Sequence, residues 1–403
     1  MHCLRCGRIN RQGAAFCYAC GMKLAPAEGG VPLDAAPSRA LTGLADGVFV
    51  GRQAEMGVLQ AALEDALAGR GRLVMLVGES GIGKTRMARE FLAHAERRGA
   101  LGLWGRCHES PGAPPYWPWV QIIRGYVRKR DSAQVRDAMG TGAPDIAAIA
   151  PEVRERLPNL PLPLRFEDPE QARFRLFDAV TTFLQHTAHD QPLVLVLDNL
   201  HWADKSSLLL LEFLAQELGR VRLLVIGTYR DVEVSRQHPL SETLGELTRE
   251  HPLQRVMLGG LGRADVGRFI EAATGITPPP SLVDAVYTQT EGNPLFLTEV
   301  IRLLTQEGEL APERVQQRQR TSLGIPEGVG QVIGRRLNRL SPPCNRALTV
   351  ASVFGREFAL EEMHRLLPDV REDCLLELLE EAVAARVIKS YRRPWAVINL
   401  RTP

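Results

Sequence analysis

A three-layer α/β domain built on a mainly parallel sheet is the fold this sequence predicts, from three observations. Short apolar-rich runs recur between helical stretches at residues 73–77, 101–106, 193–197, 222–230 and 255–261, as buried parallel strands require. The first run passes directly through a glycine-rich loop into a helical pattern. The third ends on a carboxylate, Asp198. Alternating strand and helix of this kind place helices on both faces of one sheet.

Taken in chain order, the first signal is the cysteine distribution. Four of seven cysteines fall within the first twenty residues, as Cys3-x2-Cys6 and Cys17-x2-Cys20 with ten residues between the pairs. Gly7 and Gly21 follow the pairs and allow the tight turns that aim both sulfurs at one ion. The spacing suits a tetrahedral Zn2+ site. About 25 residues bury too little apolar surface to fold without metal. A redox dithiol would need a surrounding βαβ pattern, which is missing here, and a chance cluster is the remaining alternative. Arg5, Arg8, Arg11 and Lys23 meet no acidic residue before Glu28, a weak hint of nucleic-acid contact; a docking or solubilising module is the better reading. The segment resembles the short zinc ribbons that open many bacterial signalling proteins. Residues 26–47, rich in Pro, Gly and Ala, read as a flexible linker.

The loop after the first strand is Gly78-Glu-Ser-Gly-Ile-Gly83-Lys84-Thr85. It has the GxxxxGK[ST] form in the strand-loop-helix context that gives the pattern its meaning. Gly78, Gly81 and Gly83 let the backbone curl so that amides and the helix amino terminus face phosphate oxygens. Lys84 is then the β- and γ-phosphate cation and Thr85 a Mg2+ ligand. Asp198, delivered at the end of a buried strand, is the matching acidic Mg2+ ligand. These residues predict an ATP site.

With those residues in hand, "VFVGRQAEMGVLQAAL", "GESGIGKT", "LVLVLDNLHWAD", "VIGTYRD" and "EGNPLFLTEVIRLL" resemble, in order, the signatures of the STAND-type AAA-related signalling ATPases. More narrowly they are similar to the ATPase modules of bacterial LuxR-type activators and cyclase-fused proteins, over residues 48 to about 370. The resemblance implies that Val50, Gly51 and Arg52 lie against adenine and ribose. It implies that Arg230 is a sensor arginine directed at the γ-phosphate, and that Gly292, Asn293 and Pro294 form a lid turn with Pro294 near the base. Taken singly, each has a plainer alternative, a turn cap, a strand-end cation or an ordinary turn. The family usually carries a second acid after the magnesium ligand, and here that place is held by Asn199. An amide cannot take a proton. MgATP binding with slow hydrolysis is therefore expected unless Glu79, Asp204 or a partner substitutes.

Trp117 and Trp119 lie in a proline-rich insertion and are expected to pack it on the sheet rather than stack on a ligand. His201 has no second metal-type ligand at helical spacing and is not assigned to a metal. Residues 262–320 read as a helical lid closing over an ATPase domain of residues 48–261. Residues 321–403 read, by resemblance, as an incomplete winged helix, whose Arg335, Arg336 and Arg339 are read as a packing or solvated face in preference to DNA contact. The ending "SYRRPWAVINLRTP" matches no expected continuation, so a truncated or frame-altered product is expected.

Composition bounds the rest. The 403 residues leave room for two or three units, 45% hydrophobic and 24% charged residues exclude wholesale disorder, and 49 basic against 47 acidic residues give no field favouring nucleic acid or an anionic membrane. No apolar run approaches the roughly 20 residues of a membrane span, and the amino terminus has no secretory apolar region. A cytoplasmic place follows as an expectation. The leading function is a nucleotide-dependent switch, with ATP and ADP as ligands and self-association or a protein partner as its output. The alternative is a zinc-ribbon nucleic-acid-binding regulator in which the nucleotide is structural. A cyclase regulatory half is disfavoured, since no cyclase domain fits between ribbon and ATPase.

Overall fold

A computed structural model describes residues 47–109, 113–163, 168–235, 237–250, 253–306, 310, 337, 340–354, 357–384, 387–390 and 398–400. The four amino-terminal cysteines, the linker at 26–47 except Gly47, and the arginines at 335, 336 and 339 lie outside them.

Five strands, β1 (Arg72–Gly78), β2 (Leu101–Arg106), β3 (Leu193–Asp198), β4 (Leu223–Tyr229) and β5 (Gln254–Leu258), form one sheet in the order β2-β3-β4-β1-β5. Every pairing is parallel. The alternation of side chains along a strand divides the core in two. Leu73, Met75 and Val77, Leu193, Leu195 and Leu197, and Leu223 and Val225 face one cluster. Val74, Leu76, Val194, Val196, Leu224 and Ile226 face another. Helices α1 (Gln53–Leu67) and α2 (Lys84–Arg97) cover the second face with Leu59, Leu63, Met87 and Phe91.

The first face is covered by the insertion between β2 and β3: α3 (Trp117–Lys129), α4 (Ser132–Met139), α5 (Ala143–Ile149), α6 (Glu152–Arg156) and α7 (Pro169–Asp190), joined by α8 (Lys205–Gln216) after β3. Side-chain caps begin three of these helices: Asp131 accepts from the Gln134 amide, Asp168 from Glu170 and Asp204 from Ser207. Trp119 is buried and donates its Nε1–H to the Ser207 carbonyl at 3.0 Å, while Trp117 carries the Arg124 guanidinium 5.0 Å from its ring centre. Both tryptophans therefore pack the insertion, as their composition suggested.

Beyond α9 (Pro239–Glu250) and β5, helices α10 (Arg263–Thr274), α11 (Pro280–Thr290) and α12 (Pro294–Gln306) enclose their own core around Val266, Phe269, Val286 and Leu297. Val48 and Val50, which precede α1, pack against that same core. A last cluster joins α13 (Pro342–Ala351), α14 (Leu360–Leu366) and α15 (Glu372–Ala384) to a small antiparallel sheet, β6 (Glu357–Phe358), β7 (Ile388–Ser390) and β8 (Ile398–Leu400), ordered β6-β8-β7. Ile398–Leu400, within the segment "SYRRPWAVINLRTP", supplies the central strand of that sheet. Among the described residues no helix is long and apolar enough to cross a membrane.

Candidate nucleotide site

All five parallel strands end on one edge of the sheet, where loops and helix amino termini collect. The strand order inserts β4 between β1 and β3. Val77 pairs with Tyr229 and Leu197 with Gly227. The end of β4 consequently stands between the glycine-rich loop and Asp198, which no spacing in the sequence reveals.

Gly78, Gly81 and Gly83 have φ of 151°, 79° and 101°, so the loop runs through backbone that other residues rarely adopt. It opens into α2, whose amino-terminal amides have no acceptor within the helix. Lys84 is 6% exposed, and its Nζ donates to the carbonyls of Gly78 and Glu79, each at 2.7 Å. Burial, and next the Arg230 guanidinium, push the Lys84 ammonium down to about 8, against the attraction of Asp198, Asp231 and Glu233. A buried cation with too little negative charge around it is suited to an anionic ligand.

Asp198 is fully buried. Its carboxylate accepts from the Thr85 hydroxyl at 3.0 and 3.2 Å and from the Thr228 hydroxyl at 2.7 Å. Arg106, its partner across the β2–β3 register, holds Nε 3.7 Å from the other side of the carboxylate. Thr228 also accepts from the Asn199 amide at 2.9 Å, fixing two consecutive residues at once. It is the residue sequence reasoning missed: a threonine in an apolar strand carries no signal until the strand order is known. Asn199 itself is buried with φ 63° and ψ 47°, a left-handed conformation that asparagine tolerates better than most residues.

Other expected site residues fall around this centre. Arg52, also left-handed with φ 67°, donates to the carbonyls of Ile82 at 3.1 Å and Gly259 at 2.5 Å and pairs with Glu55 at 3.0 Å. It therefore ties the start of α1 to the glycine-rich loop and to the end of β5. A cavity of about 460 Å3 adjoins it, lined by Phe49, Val50, Gly51, Arg52, Met56 and Arg268 among others. Pro294 is not in that lining; its ring packs toward Gly83. Its neighbours clamp the loop directly: Asn293 Nδ2 donates to the Ser80 carbonyl at 3.1 Å, and the Leu295 amide donates to the Gly81 carbonyl at 3.3 Å. A Cβ on Gly81 would meet Leu295 and Asn293 at 2.8 and 2.9 Å, so the contact is as close as glycine permits.

Arg230 pairs with Glu233 at 2.6 Å and lies over the Trp202 ring at 5.0 Å. Of the alternative bases, Asp204 is engaged at the start of α8, accepting from the Ser207 amide at 3.0 Å and its hydroxyl at 2.5 Å. Among the described residues no group of three or more His, Cys, Asp or Glu could hold a metal ion by itself. The Thr85 hydroxyl and Asp198 carboxylate, in contact with each other, form the oxygen pair that a phosphate-bound magnesium ion needs.

Comparison with known proteins agrees with this geometry. Residues 48–226 match the AAA ATPase domain family. An uncharacterized protein of Rhizobium meliloti (strain 1021) is 22% identical over 344 residues, 82% of this chain; the chain spans 32% of that relative's length. Among solved structures, a Walker-type ATPase of Pyrococcus abyssi is similar at a TM-score of 0.50 and 16% identity, covering 88% of this chain and 94% of the other. A signal transduction ATPase with numerous domains and a tetratricopeptide repeat sensor, from Pyrococcus horikoshii, aligns at a TM-score of 0.40 and 15% identity over 87% of this chain and 41% of its own. Residues 48–226 thus match an AAA ATPase domain, and the five-stranded parallel sheet shares the fold of the Walker-type ATPase.

Proposed function

We propose that this chain is an ATP-dependent signalling switch of the STAND type, which binds MgATP tightly, hydrolyses it slowly and changes its assembly with nucleotide state. The observation that carries the nucleotide reading is the meeting of Thr85 and Asp198. These residues are 113 positions apart in the chain, yet a hydroxyl and a buried carboxylate converge at the end of a loop already supplied with a buried lysine.

Within this reading Lys84 exchanges its two carbonyl contacts for β- and γ-phosphate oxygens. Thr85 and Asp198 would hold Mg2+, which when bound spreads the negative charge of the phosphates. Thr228 orients Asp198 by its hydrogen bond and keeps Asn199 in its left-handed turn. Arg230, at the end of the strand between loop and carboxylate, turns to the terminal phosphate. Val50, Gly51 and Arg52 border the cavity that would take the base. The clamp of Asn293 and Leu295 on the loop supports coupling of nucleotide state to the helical lid, because a shift of Ser80 or Gly81 is felt at once at the start of α12. Any such switch needs different affinities of its two states for ATP and ADP. Cys3, Cys6, Cys17 and Cys20 would hold a structural Zn2+ in a docking module, and residues 321–403 would pass the lid's position onward as a winged helix.

Equilibrium binding of MgATP tests the nucleotide reading. The intact chain is expected to bind it and the Lys84→Ala variant to lose it; equal affinity in both would contradict the site.

A further inference from the structure

One carboxylate beside the site lies between a guanidinium and an imidazole. Glu233 lies on the short 3-10 turn after β4 (residues 231–233) and is largely buried. One of its oxygens takes Arg230 Nη1 at 2.6 Å; the other lies 3.5 Å from His201 Nε2. His201 is 3% exposed, and neither ring nitrogen makes a hydrogen bond. Its ring rests on Trp202, with centres 4.6 Å apart, and Trp202 also carries the Arg230 guanidinium. Arg230, Glu233, His201 and Trp202 therefore form one packed group at the end of β4.

Arg230 directly follows β4, whose end stands between the glycine-rich loop and Asp198, so it stands on the phosphate side of the sheet edge. A nucleoside triphosphate bound there and Glu233 would compete for the same guanidinium. We propose that Glu233 holds Arg230 while the site is empty and yields it to the terminal phosphate of a bound triphosphate, whereupon the carboxylate that has given up the guanidinium draws a solvent proton onto His201. Glu233 is then a positioning residue that sets the preference for triphosphate over diphosphate. His201 is the proton acceptor that keeps the carboxylate compensated.

The groups that face His201 pull in opposite directions. Burial is the largest influence and holds it neutral, at about 3; Glu233 favours its protonated form, while Arg230, Lys84 and His238 oppose it. His238 accepts from the Leu240 amide at Nδ1 and donates from Nε2 to the His201 carbonyl at 3.0 Å. Movement of Arg230 away removes one opposing charge, and phosphate near Lys84 offsets another. Both changes favour the imidazolium. A diphosphate, which lacks the terminal group, leaves Arg230 on Glu233.

The proposal rests on the reading of Arg230 as a triphosphate contact. Titration calorimetry of the full chain with MgADP and with a non-hydrolysable MgATP analogue, in two buffers of different ionisation enthalpy near pH 6.5, tests it. In the intact chain the analogue is expected to take up more protons than ADP does, and His201→Gln and Glu233→Gln to abolish the difference. Glu233→Gln should also raise the preference for the analogue over ADP about tenfold, the scale of one charge-assisted hydrogen bond. Equal proton uptake for the two nucleotides in the intact chain would overturn the exchange and leave the nucleotide site standing. An unchanged preference in a Glu233→Gln variant that still binds ADP would do the same. Failure of the intact chain to bind either nucleotide would overturn both.

Discussion

If Asn199 limits turnover, an acid in its place should speed hydrolysis. Its left-handed backbone and its amide bond to Thr228 suit aspartate as well as asparagine, so Asn199→Asp changes the chemistry and spares the turn. Steady-state hydrolysis should rise about 100-fold in that variant, the low end of what general-base help supplies; turnover equal to that of the intact chain would mean that another group already takes the proton. His201 makes a separate prediction for stability. Its value falls from an ordinary 6.5 to about 3 on folding. Between those limits the unfolded chain binds the extra proton, so stability is complete above about pH 6.5 and declines as pH falls toward 3. Urea unfolding of the ligand-free chain across that range should show this slope, and His201→Gln should flatten it.

At the scale of elements, the turn before α12 touches the glycine-rich loop directly, and in the proposed switch this contact would carry nucleotide state to helices α10 to α12. Asn293→Ala removes the bond to the Ser80 carbonyl and the one from the Leu295 amide. Binding of ATP and ADP should weaken about equally, by roughly tenfold, because one bond holds the loop, the other shapes the turn that holds it, and neither touches a phosphate. Unchanged affinities would detach the lid turn from the nucleotide cleft. The strands, the loop and Asp198 were legible in the sequence because each is a local pattern: an apolar run, a glycine spacing, a carboxylate at a strand end. Thr228, Glu233 and the double bridge of Arg52 were not, because their roles depend on β4 lying between β1 and β3 and on β5 lying beside β1. Strand order is a long-range property that period and composition do not carry. The same reason explains β8, whose residues are unremarkable alone and gain their place only by pairing with β6 and β7.

At the scale of the molecule, the nucleotide core, the lid and the carboxyl-terminal cluster have separate apolar cores, so motion between them need not break any one core. Val48 and Val50 pack with the lid while Arg52 grips the loop, which makes the segment before α1 a strap across both. The amino-terminal cysteines predict one zinc ion per chain by metal analysis, lost in a Cys17→Ser variant that keeps its nucleotide binding. The central claim, that occupancy of the site sets assembly, is tested most directly by the solution mass of the full chain with a non-hydrolysable MgATP analogue, with MgADP and without nucleotide. A larger assembly with the analogue alone, absent in Lys84→Ala, is the predicted result; identical masses in all three conditions would contradict it.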